Sequence, residues 1–409
     1  MATQDDGISA NASEKAEDNR MVIPSLAVAG FAVAISAPML SLLTVDIAAS
    51  FNVPVGVAAQ LSTVNNAAEV IFALLMGALT IRFRHKSLLL IGTLLVIVSA
   101  IVGFFAPTLT ILQLAFALEG GGTVMVNVMS FTLIGEFMPA QRKAKAVSYI
   151  MAIINLAALV GNPLIVGVTN VGGWRSVFMF LVLPISTIGL LLSIISLPSF
   201  ITKNKGSIQP VDYIKSFKQV LSNRSASACL LGFIFAAAGN GSFGVFAIAY
   251  YREYFLVSRD ATVLIMLAVS GLFIVSALFV GHIVNRIGAK KISVIGMLLT
   301  SVFGIAFFLA PTLETALTFN MFQAWFFSFA GTAFSCLVLD QVPQSRGTML
   351  SLKSVSGSIG SAIGAAVGGT LLVLFSYQAV GWAFGGICAV SAVIYLLFTK
   401  DPPKEICGY

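Results

Sequence analysis

Charge is what this sequence has least of: only 10% of its 409 residues are Asp, Glu, Lys or Arg, where an ordinary soluble domain carries about 25%. That shortage of polar surface excludes a water-soluble globular fold, a disordered chain and a nucleic-acid binder. Cysteine and histidine are also scarce, at 4 and 2 residues. Cys229, Cys336, Cys388 and Cys407 show no paired spacing, and three of them sit in apolar runs. Neither a disulfide framework nor a metal centre is expected from them. The phosphate-cradling GxxxxGK[ST] loop, the GxSxG nucleophile elbow and the HExxH zinc helix are all missing. An enzyme, a built-in ATPase and a bound cofactor are therefore not expected. His85 and His282 lie by helix ends, where an interfacial position accounts for them.

What the chain has in abundance is apolar residues, 58% of the total, with a mean hydropathy of +0.98. A bilayer core about 30 Å thick takes about 20 apolar residues per helix, because every backbone polar group must be satisfied internally. Twelve such runs are found between residues 23 and 398, predicting an all-α membrane protein with 12 transmembrane helices. All but Arg175, Arg252 and Arg259 of the 23 basic residues fall on one side if both termini are cytoplasmic. This is the positive-inside bias of a multi-pass protein of the cell membrane. The net charge of +7 thus records topology rather than an anionic partner. The bilayer and a small-molecule substrate are the expected partners, with no nucleic acid, and a monomer is expected.

The chain divides into a tail (1–20), a six-helix bundle (21–198), a linker (199–226), a second six-helix bundle (227–398) and a closing tail (399–409). The first twenty residues lack the basic start and short apolar core of a signal peptide and read as a disordered cytoplasmic tail. In the linker, Ile214, Phe217 and Val220 or Leu221 recur at helical spacing, predicting a short helix on the inner membrane surface. The two bundles repeat each other. Adding 204 to a residue number maps Gly77 to Gly281, Arg82 to Arg286, Lys86 to Lys290, Ala106-Pro107-Thr108-Leu109 to Ala310-Pro311-Thr312-Leu313, Glu136 to Asp340, Pro139 to Pro343 and Arg142 to Arg346. Matched Arg, Pro and acidic positions are improbable by chance in a chain with so few, so the two bundles are pseudo-symmetric.

With that repeat, the sequence resembles the major facilitator superfamily, and most nearly its 12-helix drug:proton antiporters. The family's loop after helix 2 is represented by Gly77-Ala-Leu-Thr-Ile-Arg82-Phe-Arg-His-Lys86, and its copy after helix 8 by Gly281-His-Ile-Val-Asn-Arg286-Ile-Gly-Ala-Lys-Lys291. Ile81 and Asn285 replace the family's acidic residue in both. The resemblance implies gating roles for Gly77, Arg82, Gly281 and Arg286. It also places Glu136 with Arg142, and Asp340 with Arg346, at the cytoplasmic face. There they either pair in one conformation and release in another or serve as solvated helix ends. Helix 5 of drug-efflux members carries a Gly/Pro motif that is partly kept here as Asn162-Pro163 and Gly167. Pro163 removes a backbone donor and bends the helix. In helix 4, Phe116 and Glu119 stand where antiporters of the family place Arg and Gln. Gly357, Gly360, Gly364 and Gly368 form a small-residue stripe on helix 11, for which packing is a sufficient reading.

Acids inside apolar spans are expensive and are functional candidates by default. Asp46, Glu69 and Glu119 qualify. Ser62, Asn65 and Asn66 precede Glu69 by seven, four and three residues, which puts all four on one helical face, expected to line a central cavity. Glu69 and Glu119 are candidate proton carriers or attractors of a cationic substrate; a structural hydrogen-bonding role is the alternative, and more so for Asp46. Asn240 lies among the small residues of Ala238-Gly239-Asn240-Gly241-Ser242, where helix 7 can break beside a substrate. Phe322, Trp325, Phe326 and Phe329 either line an apolar pocket or face lipid, and Lys353 is expected to snorkel to the cytoplasm. The resemblance implies alternating access with proton-coupled export of small hydrophobic or amphiphilic compounds, multidrug efflux included, the proton gradient being the energy source. Alternatives are an uptake symporter or uniporter for a small polar metabolite and, more remotely, a non-transporting sensor or scaffold.

Overall fold

The structure, a computed structural model, describes residues 22–137, 140–197, 218–342 and 346–400. The 1–20 tail, most of the 199–226 linker with its expected surface helix, Pro139, Pro343 and residues 401–409 lie outside the described residues. Every regular element among the described residues is helical. In chain order these are α1 (Val22–Ala34), α2 (Ser36–Phe51), α3 (Val55–Ala58), α4 (Gln60–Arg82), α5 (His85–Phe105), α6 (Leu109–Phe137), α7 (Ala140–Gly172), a π-helical turn (Phe178–Val182) running into α8 (Leu183–Ser196), α9 (Arg224–Asn240), α10 (Phe243–Glu253), α11 (Arg259–Ile287), α12 (Ala289–Phe308), α13 (Leu313–Gln341), α14 (Arg346–Leu374) and α15 (Tyr377–Phe398).

Eight stretches among the described residues are long and apolar enough to cross a membrane on composition alone, the first being Val22–Phe51 and the last Tyr377–Phe398. The helices α4, α7, α11 and α13 are 23, 33, 29 and 29 residues long and carry more polar residues. Exposed Val171, Ile195 and Phe180 would be liabilities in water; here they form the surface that lipid covers. This is an all-α membrane protein.

Local chemistry fixes where helices start and stop. The Asn223 side chain accepts from the Ser225 and Ala226 amides at 3.0 and 3.2 Å to cap α9. Thr312 and Thr315 form a reciprocal capping box at the start of α13. A single residue, Gly288 at φ 103°, joins α11 to α12, a backbone conformation that a side chain would strain.

By their contacts the described residues fall into two compact units. The first takes those of Met1–Met39 and Ile71–Ser207; in it α5 packs on α6, and α1 packs against α7 and α8. A Cβ added at Gly92 of α5 would lie 2.7 Å from Met125 Cβ of α6, so this pair of helices depends on a bare glycine surface. The second takes those of Leu40–Val70 and Ile208–Tyr409; in it α12 packs on α13 and α15, α9 on α14 and α15, and α3 on α14. One of its cores is aromatic: Phe243, Phe246, Tyr250, Tyr251, Phe307, Phe308 and Phe384 are all buried. The Tyr250 hydroxyl donates to the Ala310 carbonyl at 3.2 Å, fixing the end of α10 to the turn after α12.

The repeat is physical as well as textual. Lys86, at the start of α5, donates to the carbonyls of Ile194 (2.9 Å) and Leu197 at the end of α8. Its counterpart Lys290, at the start of α12, donates to the Thr399 carbonyl just past α15 (2.6 Å). In each unit a lysine at the same repeat position satisfies orphan carbonyls at a helix C-terminus and sits at its negative dipole end.

Candidate functional site

The apolar spans expel polar groups, so each one that remains must be met by another. Asp46 on α2 is met by two arginines of the same unit. Arg252, on the last turn of α10, donates from Nη1 to Oδ2 at 2.6 Å and from Nη2 to Oδ1 at 3.1 Å. Arg259, the first residue of α11, also reaches Oδ1. Arg252 Nη1 further donates to the Leu42 carbonyl at 3.2 Å. The carboxylate is 15% exposed and the two arginine side chains 13% and 23%. The cluster is thus a partly desolvated, bidentate ion pair with a second cation added. Two of the three basic residues that the charge bias sets apart converge on this one acid.

Glu69 has a different environment. Its Oε2 accepts from the Ser358 hydroxyl of α14 at 2.7 Å. On its own helix Asn65 is buried, and Asn66 Nδ2 donates to the Ser62 carbonyl at 2.7 Å. Two more contacts join these segments: Gln60 Nε2 donates to the Ala366 carbonyl at 3.3 Å, and Gly56 lies so close to Gly369 that a Cβ on either would strike the other's carbonyl oxygen. The partners 56/369, 60/366 and 69/358 run in opposite directions along the chain, which is an antiparallel seam of α3–α4 on α14.

Glu119 belongs to the first unit. It is 3% exposed and accepts from Thr123 Oγ1, one turn on along α6, at 3.0 Å. Phe116 is buried edge-to-face against Phe178, centroids 5.9 Å apart.

The seventh span is broken where small residues cluster: α9 ends at Asn240, and α10 begins at Phe243. The break is tied on two sides, since Ser242 Oγ donates to the Ser361 carbonyl of α14 at 2.9 Å and Asn240 Oδ1 accepts from Gln323 Nε2 of α13. One turn from Gln323, Asn320 donates to the Tyr251 hydroxyl at 3.0 Å. Asn320 and Gln323 are both buried. Sequence reasoning does not single out this amide pair; the signal it offers is the cost of a polar side chain in an apolar span, which applies equally to Asn65 and Asn66. Three of those aromatics, Phe322, Trp325 and Phe326, line an apolar groove of about 410 Å³ with Leu272 of α11. Helical spacing places the groove on the opposite face of α13 from Asn320 and Gln323.

Lys353 does not snorkel. Its Nζ donates to Ser335 Oγ of α13 at 2.7 Å and lies 5.3 and 5.5 Å from the rings of Phe233 and Phe334. A hydroxyl and two aromatic faces together hold the ammonium inside the unit. Pro163 is exposed within the continuous helix α7, and a Cβ at Gly167 would meet open space. On α14, by contrast, a Cβ at Gly360 would lie 2.7 Å from Ala237 Cβ and one at Gly368 2.6 Å from Phe246, so this stripe is a packing surface for α9 and α10. Arg82 and Arg286 are exposed. The side chains of Gly77, Glu136, Arg142, Gly281, Asp340 and Arg346 lie outside those described.

Long apolar helices and a few interlocked polar groups inside the spans define a polytopic helical membrane protein. Residues 23–244 and 228–406 each match the model of the Major Facilitator Superfamily, and the chain belongs to that family. Solved structures agree on the fold. A D-xylose–proton symporter superposes with a TM-score of 0.74 at 16% identity, covering 94% of this chain and 99% of that one. A bacterial homologue of the human lysosomal transporter Spinster, in an inward-facing and unoccupied conformation, gives 0.70 at 15%, covering 92% and 95%. The nucleoside transporter NupG gives 0.71 at 14%, covering 93% and 100%.

Proposed function

We propose that this transporter couples proton movement to the export of small hydrophobic or amphiphilic compounds by alternating access, with Glu69 as its principal proton carrier. The observation that carries this reading is the environment of Glu69: a carboxylate within an apolar span whose cross-helix partner is a neutral hydroxyl rather than a cation. Such a group can exist with or without its proton. Asp46, held by two guanidinium groups, is instead an electrostatic latch. Glu119 is a second proton site or a helix-internal hydrogen-bond acceptor. The chain is a carrier and not an enzyme, and it works as a monomer in the cell membrane with both termini cytoplasmic.

A second reading, transport of a small polar metabolite in the opposite direction, is favoured by the Asn240–Gln323 and Asn320–Tyr251 pairs. Buried amides suit uncharged hydrogen-bonding groups, and the D-xylose symporter and the nucleoside transporter among the structural neighbours handle molecules rich in them.

The test is substrate-dependent proton movement in proteoliposomes, comparing wild type with Glu69→Gln and Glu119→Gln. Loss of coupling in Glu69→Gln is expected. Unchanged coupling in both variants would overturn the site assignment, and transport indifferent to a pH gradient would overturn proton coupling. Accumulation on the same side as the protons, instead of the opposite side, selects the second reading.

A further inference from the structure

We infer that Ser358 is the positioning residue through which the proton on Glu69 is read by the α3–α4/α14 seam, so that protonation loosens the seam from one end. The inference rests on the proposal that Glu69 carries the proton.

The seam has three rungs of different chemistry. At Gly56/Gly369 two backbones touch, and a Cβ at Gly56 would lie 2.8 Å from Val373 Cγ2. At Gln60 a side-chain amide meets the Ala366 carbonyl at 3.3 Å. Neither group titrates in the physiological range. At the third rung, Ser358 donates to Glu69 at 2.7 Å, and this rung alone of the three contains an ionisable group. The thirteen residues from Gly56 to Glu69 extend about 20 Å along the helix axis, so this rung lies at the far end of the seam from the glycine contact.

The other groups around it leave Glu69 as the variable. Ser62, Asn65 and Asn66 on α4 are uncharged, and the ionisable group of α14 nearest in sequence, Lys353, is turned to Ser335 of α13. While Glu69 is ionised, Ser358 makes a charge-assisted bond to it. When Glu69 takes up a proton, the same contact becomes a neutral one, roughly half as strong. The two glycines and Gln60 hold the remainder of the seam whichever form Glu69 takes. Protonation therefore removes part of the closing energy without dismantling the packed end. If the hydroxyl is absent, the seam can no longer tell the two forms apart by this bond.

The experiment measures seam opening directly and needs no transported substrate. Cysteine is placed at Ala366, with the native cysteines replaced by serine, and its rate of modification by a membrane-impermeant methanethiosulfonate reagent is followed against pH in proteoliposomes. Opening of the background protein is expected to follow a sigmoid in pH. Ser358→Ala is expected to flatten this sigmoid, leaving the modification rate nearly independent of pH, because the bond that distinguishes the two forms of Glu69 is gone. Ser358→Thr, which keeps the hydroxyl, is expected to restore the original profile, and Glu69→Gln to remove the pH dependence. A sigmoid that persists in Ser358→Ala, shifted or not, with Glu69→Gln still abolishing the dependence, overturns the role of Ser358 and leaves the proton site standing. A pH dependence that survives Glu69→Gln overturns both.

Discussion

Arg252 grips Asp46 with both terminal guanidinium nitrogens, at 2.6 and 3.1 Å, although 206 residues separate them. Arg259 adds a second positive charge to the same carboxylate. Both arginines bind through the same carboxylate, so the losses on removing Asp46 and Arg252 should not add. Asp46→Asn removes the carboxylate that both guanidinium groups bind, and should cost about 3 kcal/mol of stability, the lower end for breaking a desolvated pair. The double variant Asp46→Asn/Arg252→Gln is expected to lose less stability than the sum of the two single variants, measured by thermal unfolding in detergent. Losses that add would show that the Asp46–Arg252 bond contributes nothing to the cluster.

The lysines of the repeat make a second test. Lys86→Met and Lys290→Met keep the apolar stem of the side chain and delete the ammonium that satisfies carbonyls at the ends of α8 and α15. Each is expected to destabilise by about 1 kcal/mol. Because the two lysines lie in different units, the losses should add to within about 0.5 kcal/mol. Thermal unfolding in detergent of the two single variants and the double variant checks this. A silent Lys290→Met beside a damaging Lys86→Met would mean that the repeat survives in sequence but has diverged in function.

What could be read in advance depended on whether a feature is local. Glu69 stood out because an acid is costly in an apolar span whatever surrounds it, and the break after Asn240 because consecutive small residues weaken a helix on their own. Ser358 was invisible: α14 also holds Ser351, Ser354, Ser356 and Ser361, and nothing in the chain marks which of these serines faces α4. The arginine partners of Asp46 could be recognised as two of the three basic residues on the minority side, but their convergence is tertiary. Lys86 and Lys290 could be matched to each other and not to their acceptors, because a backbone carbonyl leaves no trace in sequence. Lys353 was expected at the membrane surface because snorkelling is the usual route for a lysine near a helix end; Phe233, Phe334 and Ser335 provide another, and they come from two other helices.

Glycines that look equivalent in sequence should respond differently to a methyl group. Gly167 of α7 belongs to the motif through which the chain resembles drug-efflux carriers, yet a Cβ there meets nothing within 4 Å. Gly167→Ala should therefore be neutral, or stabilising by up to about 1 kcal/mol, since alanine loses less conformational freedom than glycine in a helix. Gly360 of α14 belongs to no motif of the resemblance, but its Cβ would lie 2.7 Å from Ala237 Cβ and 3.0 Å from the Ala238 amide nitrogen. Neither neighbour is the flexible end of a side chain, so α9 and α14 must move apart, at a cost of about 1–3 kcal/mol. Melting temperatures of the two alanine variants, measured side by side in the same detergent, distinguish the outcomes. If Gly167→Ala proves the more damaging, the glycine is required by a second conformation in which another helix approaches it, and the motif is then a marker of the transport cycle rather than of the packing described here.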